Sequence, residues 1–226
     1  MRNQQKASRL AAAAFQNACR LHRDSVLLYR HGRYPSAFQL SVLAQEEVGK
    51  TFRLEEFAFR VRVRERDPDE AWPKLLGDLL SHRQKQFWFT RQEFDRVFPR
   101  GAGASRVYRL MDEALTGRLE RRKQDATHVG LSRDHRGKVD PQGRILRPGA
   151  RIGERHAAEQ VTRVGDVLAW LVEGYQRGAF VMDTPEVEEC LTRALESELR
   201  KLWQTSPALR RTLHDWRTQP RIPDAP

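Results

Sequence analysis

The sequence has few cysteines and no apolar run long enough to cross a membrane. Its two cysteines, Cys19 and Cys190, exclude a disulfide framework and a cysteine-built zinc cluster, and they suit a reducing compartment. No run reaches the ~18 apolar residues of a membrane span. The opening MRNQQKASRLAAAA also lacks the apolar region of a secretion signal. These absences predict a cytoplasmic protein that does not associate with a membrane.

Positive charge dominates what is present. The 226 residues include 41 Lys and Arg against 30 Asp and Glu, which gives a net charge of +11 and a pI near 10.3. Such a field favours RNA, the ribosome or another polyanion as a partner. A soluble protein with a generally basic surface is the alternative. Only seven of the 41 are Lys, so Lys50 and Lys85 are more noticeable than an average cation.

Apolar residues recur at helical spacing through most of the chain and predict an all-α bundle of about six helices. The predicted helices cover residues 8–29, 35–64, 73–97, 105–123, 154–177 and 185–203. The short break at 31–33 makes the first two an antiparallel hairpin. Residues 1–204 are predicted to form one domain, and residues 205–226 a basic, proline-rich tail.

Residues 125–152 interrupt the helical pattern. They are rich in Gly, Pro, Asp and Arg, and their apolar pieces are short. We interpret them as an irregular insertion that contains a short hairpin between 128–131 and 144–146.

The stretch YPSAFQLSVLAQEEVGKTFRLEEFAF, residues 34–59, places Glu47 inside an apolar helical stripe and Glu46 at its edge. A buried carboxylate needs a partner, and Lys50 can reach either glutamate. We therefore expect Glu47 to be buried and paired. Gly49 costs the helix about 1 kcal/mol relative to Ala, which indicates that another backbone or a ligand comes close. A solvated Glu–Lys pair on an ordinary helix is the alternative.

His82 and Lys85 share a face of the next helix because they are three residues apart. If that helix packs on the preceding one, they approach Glu47 and Lys50. A carboxylate, an imidazole and two ammoniums can serve acid–base chemistry and phosphate binding. One carboxylate facing two ammoniums leaves a positive surplus, whereas a structural network would be balanced, through Glu46. The alternative is that His82 only satisfies a polar group of the core.

Three stretches together resemble the AbiV family of phage abortive-infection proteins: GRYPSAFQLSVLAQEEVGK, then SHRQK, then RRKQDATHVGL leading into ILRPGARI. The resemblance covers about residues 10–180. The matching positions are Glu46, Glu47, Gly49 and Lys50 for a Glu-Glu-x-Gly-Lys motif, and His82 and Lys85 for a His-x-x-Lys motif. THVGL departs from the aromatic-Val-Asp that the family has at the third place, which leaves the role of the insertion open.

The resemblance implies a HEPN-like bundle, a homodimer and an antiphage effector that arrests phage growth. The implied means are metal-independent RNA cleavage or a block of translation. RNA or the ribosome is the implied partner, together with a phage-encoded activator or a cognate antitoxin, and no cofactor is expected. HEPN ribonucleases carry an Arg followed four to six residues later by His, and both Arg151/His156 and Arg122/His128 have that spacing. RNA supplies its own 2′-hydroxyl, so a His for proton transfer and an Arg for the phosphate suffice.

The expected catalytic residues are therefore Glu47, Lys50, His82 and Lys85, with Glu46, Arg151 and His156 as secondary candidates. Two other hypotheses stay open. The first is a non-catalytic module that binds RNA, the ribosome or a phage protein through its basic surface. The second is a metal-dependent enzyme with a carboxylate and histidine site, whose ligands would be Glu47, His82, His156 and Glu159.

Overall fold

The chain folds as a helical bundle with one small sheet, which confirms the all-α class. The computed structural model describes residues 2–65, 67–97, 104–134, 136, 138–177, 197–199, 201 and 206–218. The helices are α1 (Arg2–Arg30), α2 (Tyr34–Arg62), α3 (Pro68–Leu80), α4 (His82–Val97), α5 (Ala104–Leu115), α6 (Arg118–Asp125), α7 (Pro148–Arg151), α8 (Glu154–Gln176) and α9 (Pro207–Thr218). Strands β1 (Gly130–Leu131) and β2 (Ile145–Leu146) lie between α6 and α7. Within the described ranges, no helix is both long and apolar enough to cross a bilayer.

The first two helices form the predicted antiparallel hairpin. The break at residues 31–33 contains Gly32 at φ +69°, a left-handed conformation that favours glycine. A proline in the first turn then starts α2 without the loss of a helical hydrogen bond. The hairpin packs against α8, and these three helices with α4 surround the largest hydrophobic cluster.

Helix α2 is the centre of the bundle and is buried around most of its circumference. It packs against α1, α4 and α8, with smaller contacts to α3, α6 and α7. Its buried side chains are Ala37, Phe38, Ser41, Val42, Ala44, Gln45, Glu46, Val48, Thr51, Phe52, Arg53, Leu54, Phe57 and Ala58. A helix enclosed in this way has no single inner face, so an apolar stripe in its sequence does not identify which polar side chains are buried.

Gly49 marks the closest approach of α2 to α4. A Cβ atom at this position would lie 2.8 Å from the carbonyl carbon of Lys85, closer still to its oxygen, and 3.2 Å from the amide nitrogen of Phe89. The expectation that another backbone passes beside Gly49 is confirmed. Since Glu46 and Gly49 are three residues apart, the same close contact directs Glu46 toward α4.

The predicted helix 73–97 is wrong, because two helices cover this segment. Helix α3 begins earlier, at Pro68, where the Asp67 carboxylate accepts hydrogen bonds from the amides of Asp69 (2.8 Å) and Glu70 (3.1 Å). This Asp-Pro start supplies both a cap and a favourable first residue, and Pro73 lies inside α3. The chain then turns at Ser81, whose extended backbone separates α3 from α4.

The predicted helix 105–123 is also two helices. Helix α5 ends at Leu115, and Gly117 at φ +70° turns the chain into α6. The insertion contains the predicted hairpin, with Gly130 opposite Leu146 and Leu131 opposite Ile145 in antiparallel register.

The C-terminal part of the described chain includes a helix that sequence analysis assigned to the tail. Helix α9 packs against α8, and its Leu209 is fully buried. Most of the expected helix 185–203 lies outside the described residues, as do the side chains of Phe94 and Val97, two apolar residues near the end of the predicted helix 73–97.

The contact at Gly49 gives a matched pair of glycine substitutions. Gly49→Ala should destabilise the fold by about 3 kcal/mol, because the methyl group meets rigid backbone of α4. Gly77→Ala, in exposed α3 where nothing lies within 4 Å, should be neutral or stabilise by up to about 1 kcal/mol. Urea unfolding of both variants measures the difference. Equal stabilities would contradict the close approach.

His22 gives the fold a pH dependence. The side chain is fully buried in α1, and neither ring nitrogen has a hydrogen-bond partner within the described chain. Burial, with a smaller contribution from the charge of Arg23, lowers the pKa of His22 from 6.5 to about 4. The unfolded chain therefore binds a proton at a higher pH than the folded chain.

Stability should consequently be full above pH 6.5 and fall as the pH decreases toward 4. At about 1.4 kcal/mol per pH unit, the loss from His22 amounts to about 3 kcal/mol. His22→Met should remove this part of the loss while the carboxylates still titrate. Unfolding free energies of the two proteins at pH 7.5 and 4.5 provide the test, and parallel losses would exclude His22 as the cause.

Candidate functional site

The fully buried carboxylate of α2 is Glu46, whereas Glu47, which the apolar stripe placed further inside, is mostly but not fully buried. Glu46 is 1% exposed, whereas the Glu47 side chain is 16% exposed and pairs with Lys50 of its own helix through two contacts of 2.9 Å. Glu47 is therefore paired as expected, with Lys50 three residues along the same helix. The reason is the enclosure of α2, which buries the edge of the apolar stripe against α4.

Glu46 is the centre of a polar cluster that joins three helices, here called the Glu46 network. Its members are Glu46 of α2, His82, Lys85 and Gln86 of α4, and Glu120 and Lys123 of α6. One carboxylate oxygen of Glu46 lies 2.5 Å from Nδ1 of His82 and 3.6 Å from Nζ of Lys85. The other accepts hydrogen bonds from Gln86 and Lys123, both at 2.9 Å. Lys123 also lies 2.7 Å from a carboxylate oxygen of Glu120.

The network keeps its central groups ionised. Burial raises the pKa of the Glu46 carboxyl, but the hydrogen bond and charge of Lys123, with hydrogen bonds from His82 and Gln86, outweigh burial and hold that pKa below its ordinary value. Burial likewise lowers the pKa of Lys123, and the hydrogen bonds and charges of Glu120 and Glu46 raise it above its ordinary value. Both partners of the Glu46–Lys123 pair are thus charged at neutral pH.

His82 is the exposed member of the network. Its side chain is 52% exposed although Nδ1 contacts the buried carboxylate. An ionised carboxylate only accepts hydrogen bonds, so Nδ1 of His82 is the donor. In the neutral ring the free lone pair is then on Nε2, which is the arrangement of a histidine that a carboxylate orients for proton transfer.

When the His82 ring is neutral, the charges of the Glu46 network are balanced. Two carboxylates, Glu46 and Glu120, face two ammoniums, Lys85 and Lys123. The positive surplus expected around a single carboxylate is absent from these six side chains. Balance is the property expected of a structural network.

A metal ion would compete with Lys123 in this network. Among the described residues, the group with suitably close ligand atoms is Glu46, His82 and Glu120. Nζ of Lys123 lies 2.9 Å from Glu46, 2.7 Å from Glu120 and 3.4 Å from His82. The Lys123 ammonium therefore lies among the three side chains where a metal ion would have to bind. The set proposed from sequence, which combined Glu47, His82, His156 and Glu159, is not a group that the structure brings together.

A second polar site, here called the arginine cleft, lies between α2, α5, α6 and α8. Its lining consists of Phe38, Arg109, Leu110, Glu113, Arg122, His156, Glu159, Gln160 and Arg163. The α8 residues at positions 156, 159, 160 and 163 share one helical face. Counted over the lining side chains alone, and with a neutral histidine, three guanidiniums face two carboxylates, so this lining has a positive surplus that the Glu46 network lacks.

His156 is neutral in this cleft. Burial and, next in size, the charge of Arg122 lower the pKa of His156. Its Nδ1 lies 3.4 Å from the amide nitrogen of Gly153 at the start of α8, a distance at the long end of hydrogen bonding. A neutral imidazole beside guanidiniums is a combination that can move a proton next to a bound phosphate.

Two of the three guanidiniums are held by neighbouring groups. Arg122 lies 3.3 Å from the Glu113 carboxylate, and its guanidinium stacks over the Phe38 ring at 5.2 Å. Arg163 is 4% exposed and donates to the side chains of Gln45, at 3.1 Å, and Gln160. Its buried Nε has no hydrogen-bond partner among the described groups.

In each of the two Arg–His pairs with HEPN-like spacing, only one residue lines the arginine cleft. Arg151 pairs with Asp125 and donates to the carbonyl of Leu131 at 2.6 Å, so it fixes the hairpin to α6. His128 is exposed, and neither residue lines the arginine cleft. The cleft instead brings together Arg122 of one pair and His156 of the other.

Sequence reasoning missed the partners that α5 and α6 contribute. Lys123 had a weak signal, since it is one of only seven lysines. Gly49 was a signal for Glu46, because it marks the face of α2 that contacts α4. Arg109, Glu113 and Glu120 had none, because their positions depend on how α5 and α6 pack.

A comparison with protein families identifies a match that covers most of the chain. The family model HEPN_AbiV, described as AbiV, matches residues 6–169. Comparisons with curated proteins and with solved structures give no match. The matched region includes the Glu46 network and the arginine cleft.

Adjacent glutamates allow the network to be tested by one pair of substitutions. Glu46→Gln should destabilise the fold by about 3 kcal/mol, because it removes the carboxylate that faces Lys85 and one of the two carboxylates that face Lys123. Glu47→Gln should cost less than about 1 kcal/mol, since the pair with Lys50 is partly exposed and lies within one helix. Chemical denaturation at pH 7 measures both. A larger effect for Glu47→Gln would contradict the assignment of Glu46 as the central group.

Proposed function

The chain belongs to the AbiV family of HEPN-type proteins, and on this basis we propose that it is an antiphage effector that cleaves RNA without a metal ion. Membership implies a role in abortive infection. The observation that supports cleavage is the arginine cleft, where a neutral histidine and a surplus of guanidinium charge face one space. The charge of +11 favours RNA or the ribosome as the partner.

The proposed reaction uses the 2′-hydroxyl of RNA as the nucleophile. The 2′-oxygen attacks the adjacent phosphorus and loses its proton, the bond from phosphorus to the 5′-oxygen breaks, and that oxygen leaves as a hydroxyl after it gains a proton. The products are a 2′,3′-cyclic phosphate and a 5′-hydroxyl end. His156 transfers protons, and Arg122 and Arg109 bind the phosphate oxygens and stabilise the added negative charge.

The Glu46 network offers a second location for the same chemistry. His82 is half exposed, and its contact with Glu46 leaves a lone pair on Nε2. Lys85 lies next to it and supplies a nearby positive charge. The Glu47–Lys50 pair would flank this site. The balanced charge of the network makes it the weaker site for a phosphate.

The proposal includes a cytoplasmic homodimer and a phage-encoded activator or a cognate antitoxin, as the family resemblance implies. The aromatic run at 87–89 gives the dimer little support, because Trp88 and Phe89 are buried and Phe87 is partly buried. A non-catalytic binder of RNA, the ribosome or a phage protein is the alternative function.

Cleavage of single-stranded RNA in a buffer with EDTA tests the proposal. The purified protein should produce fragments with 2′,3′-cyclic phosphate ends. His156→Ala should reduce the rate at least about 100-fold, while His128→Ala, at an exposed position outside the cleft, should leave it unchanged. In cells, His156→Ala should lose protection against phage, and His128→Ala should retain it.

Three other results of this experiment would each lead to a different conclusion. A loss of cleavage in His82→Ala, with His156→Ala active and folded, would place the chemistry in the Glu46 network. Retention of RNA without cleavage would support the binding module. Neither binding nor cleavage of RNA would contradict the proposal.

A further inference from the structure

Helix α6 connects the two polar sites. It has only eight residues, and its buried side chains are Leu119 and Lys123, one turn apart. Leu119 belongs to a hydrophobic cluster with α2 and α8, and Lys123 belongs to the Glu46 network. The neighbouring residue, Arg122, lines the arginine cleft. One short helix thus carries adjacent side chains into two different sites.

The position of Lys123 is determined by groups that are themselves held in place. Its Nζ lies 2.9 Å from Glu46 and 2.7 Å from Glu120. Glu46 is fixed on α2 and bonded to His82 and Gln86 of α4. Because Glu46 is buried and charged, displacement of Lys123 would leave it with only the more distant Lys85 as an ammonium partner, which is costly. The network therefore holds this turn of α6 firmly.

Arg122 has weaker support of its own. It contacts the Glu113 carboxylate at 3.3 Å and lies over the Phe38 ring at 5.2 Å. A long side chain needs a fixed backbone to present its guanidinium in one place, and Lys123 is the adjacent anchor. The start of α6 offers little help, since Gly117 makes no side-chain cap.

We propose that the Glu46 network positions Arg122, so that Glu46 and Lys123 are positioning residues for the arginine cleft. The inference uses the proposed function only to give Arg122 a phosphate to bind, since the coupling between the two sites exists without a substrate. Glu46 and Lys123 act through the backbone of α6 and do not touch the bound RNA. Glu46 of the Glu-Glu-x-Gly-Lys motif then serves to place an arginine that is distant in sequence.

The pKa of His156 reports the position of Arg122 without any measure of activity. The charged groups that act on His156 are Arg122 and Arg155, which lower its pKa, and Glu159 and Glu113, which raise it. Glu46→Gln separates the direct effect of a lost charge on the pKa of His156 from the effect of a displaced Arg122. The loss of an anion would by charge alone lower the pKa of His156, whereas displacement of Arg122 would raise it.

The experiment is an NMR pH titration of histidine-labelled full-length protein, with His156 assigned from His156→Ala. Arg122→Gln sets the scale of the rise. Glu46→Gln and Lys123→Met should each raise the pKa of His156 by at least half as much, and Lys123→Arg should restore the original value. Arg53→Met is the matched control. Arg53 is also a buried cation that pairs with two carboxylates, but these are Glu56 of α2 and Asp78 of α3, so α6 is not involved.

A decrease or no change in Glu46→Gln would overturn the proposal, as would a rise in Arg53→Met equal to that in Lys123→Met. If Glu46→Gln does not fold, Glu46→Asp decides, because it keeps the negative charge and withdraws the carboxylate from Lys123, so a rise in the pKa of His156 then reports displacement alone. RNA cleavage adds an independent readout, in which the network variants should lower kcat in the same direction as Arg122→Gln, because Arg122 stabilises the negative charge added in the reaction. Coupling without any RNA cleavage would reject the proposed function and leave this inference standing.

Discussion

The ionised carboxylate of Glu46 is the group on which the arrangement of the bundle depends. At 1% exposure it has lost its water, and such a charge is tolerated only with cations and hydrogen-bond donors at close range. Those partners come from α4 and α6, so both helices must lie against α2. Gly49 permits the contact, because any side chain there would meet the backbone at Lys85. A buried charge and an absent Cβ thus fix three helices together.

The two polar sites differ in charge, and the difference suits different roles. The Glu46 network satisfies itself, with two carboxylates for two ammoniums. The arginine cleft does not, because three guanidiniums face two carboxylates and a neutral histidine. Arginine stays charged even where burial lowers its pKa, as at Arg163. The balanced charges of the Glu46 network favour a fixed structure, and the surplus positive charge of the arginine cleft attracts an anion.

Local signals in the sequence were enough for the elements whose structure is local. The break at 31–33, the short hairpin and the backbone approach at Gly49 follow from turn residues, short apolar pieces and an out-of-place glycine. The choice between Glu46 and Glu47 does not, because α2 is enclosed on most sides and its apolar stripe does not define one inner face. The arginine cleft could not be predicted, since Arg109, Arg122 and His156 come from three helices whose contacts depend on the breaks at Ser81 and Gly117.

The charge of Arg122 has two consequences in the proposed reaction, and they act in sequence. In the free protein, burial and then the charge of Arg122 lower the pKa of His156, so the ring is neutral and can accept a proton. When a phosphate binds, its negative charge offsets the guanidinium, so the pKa of the same ring rises. The histidine then becomes a stronger base at the moment when the 2′-hydroxyl must lose its proton. This requires Arg122 to lie close to both His156 and the phosphate, which explains why a buried network would be retained to hold the helix that carries it.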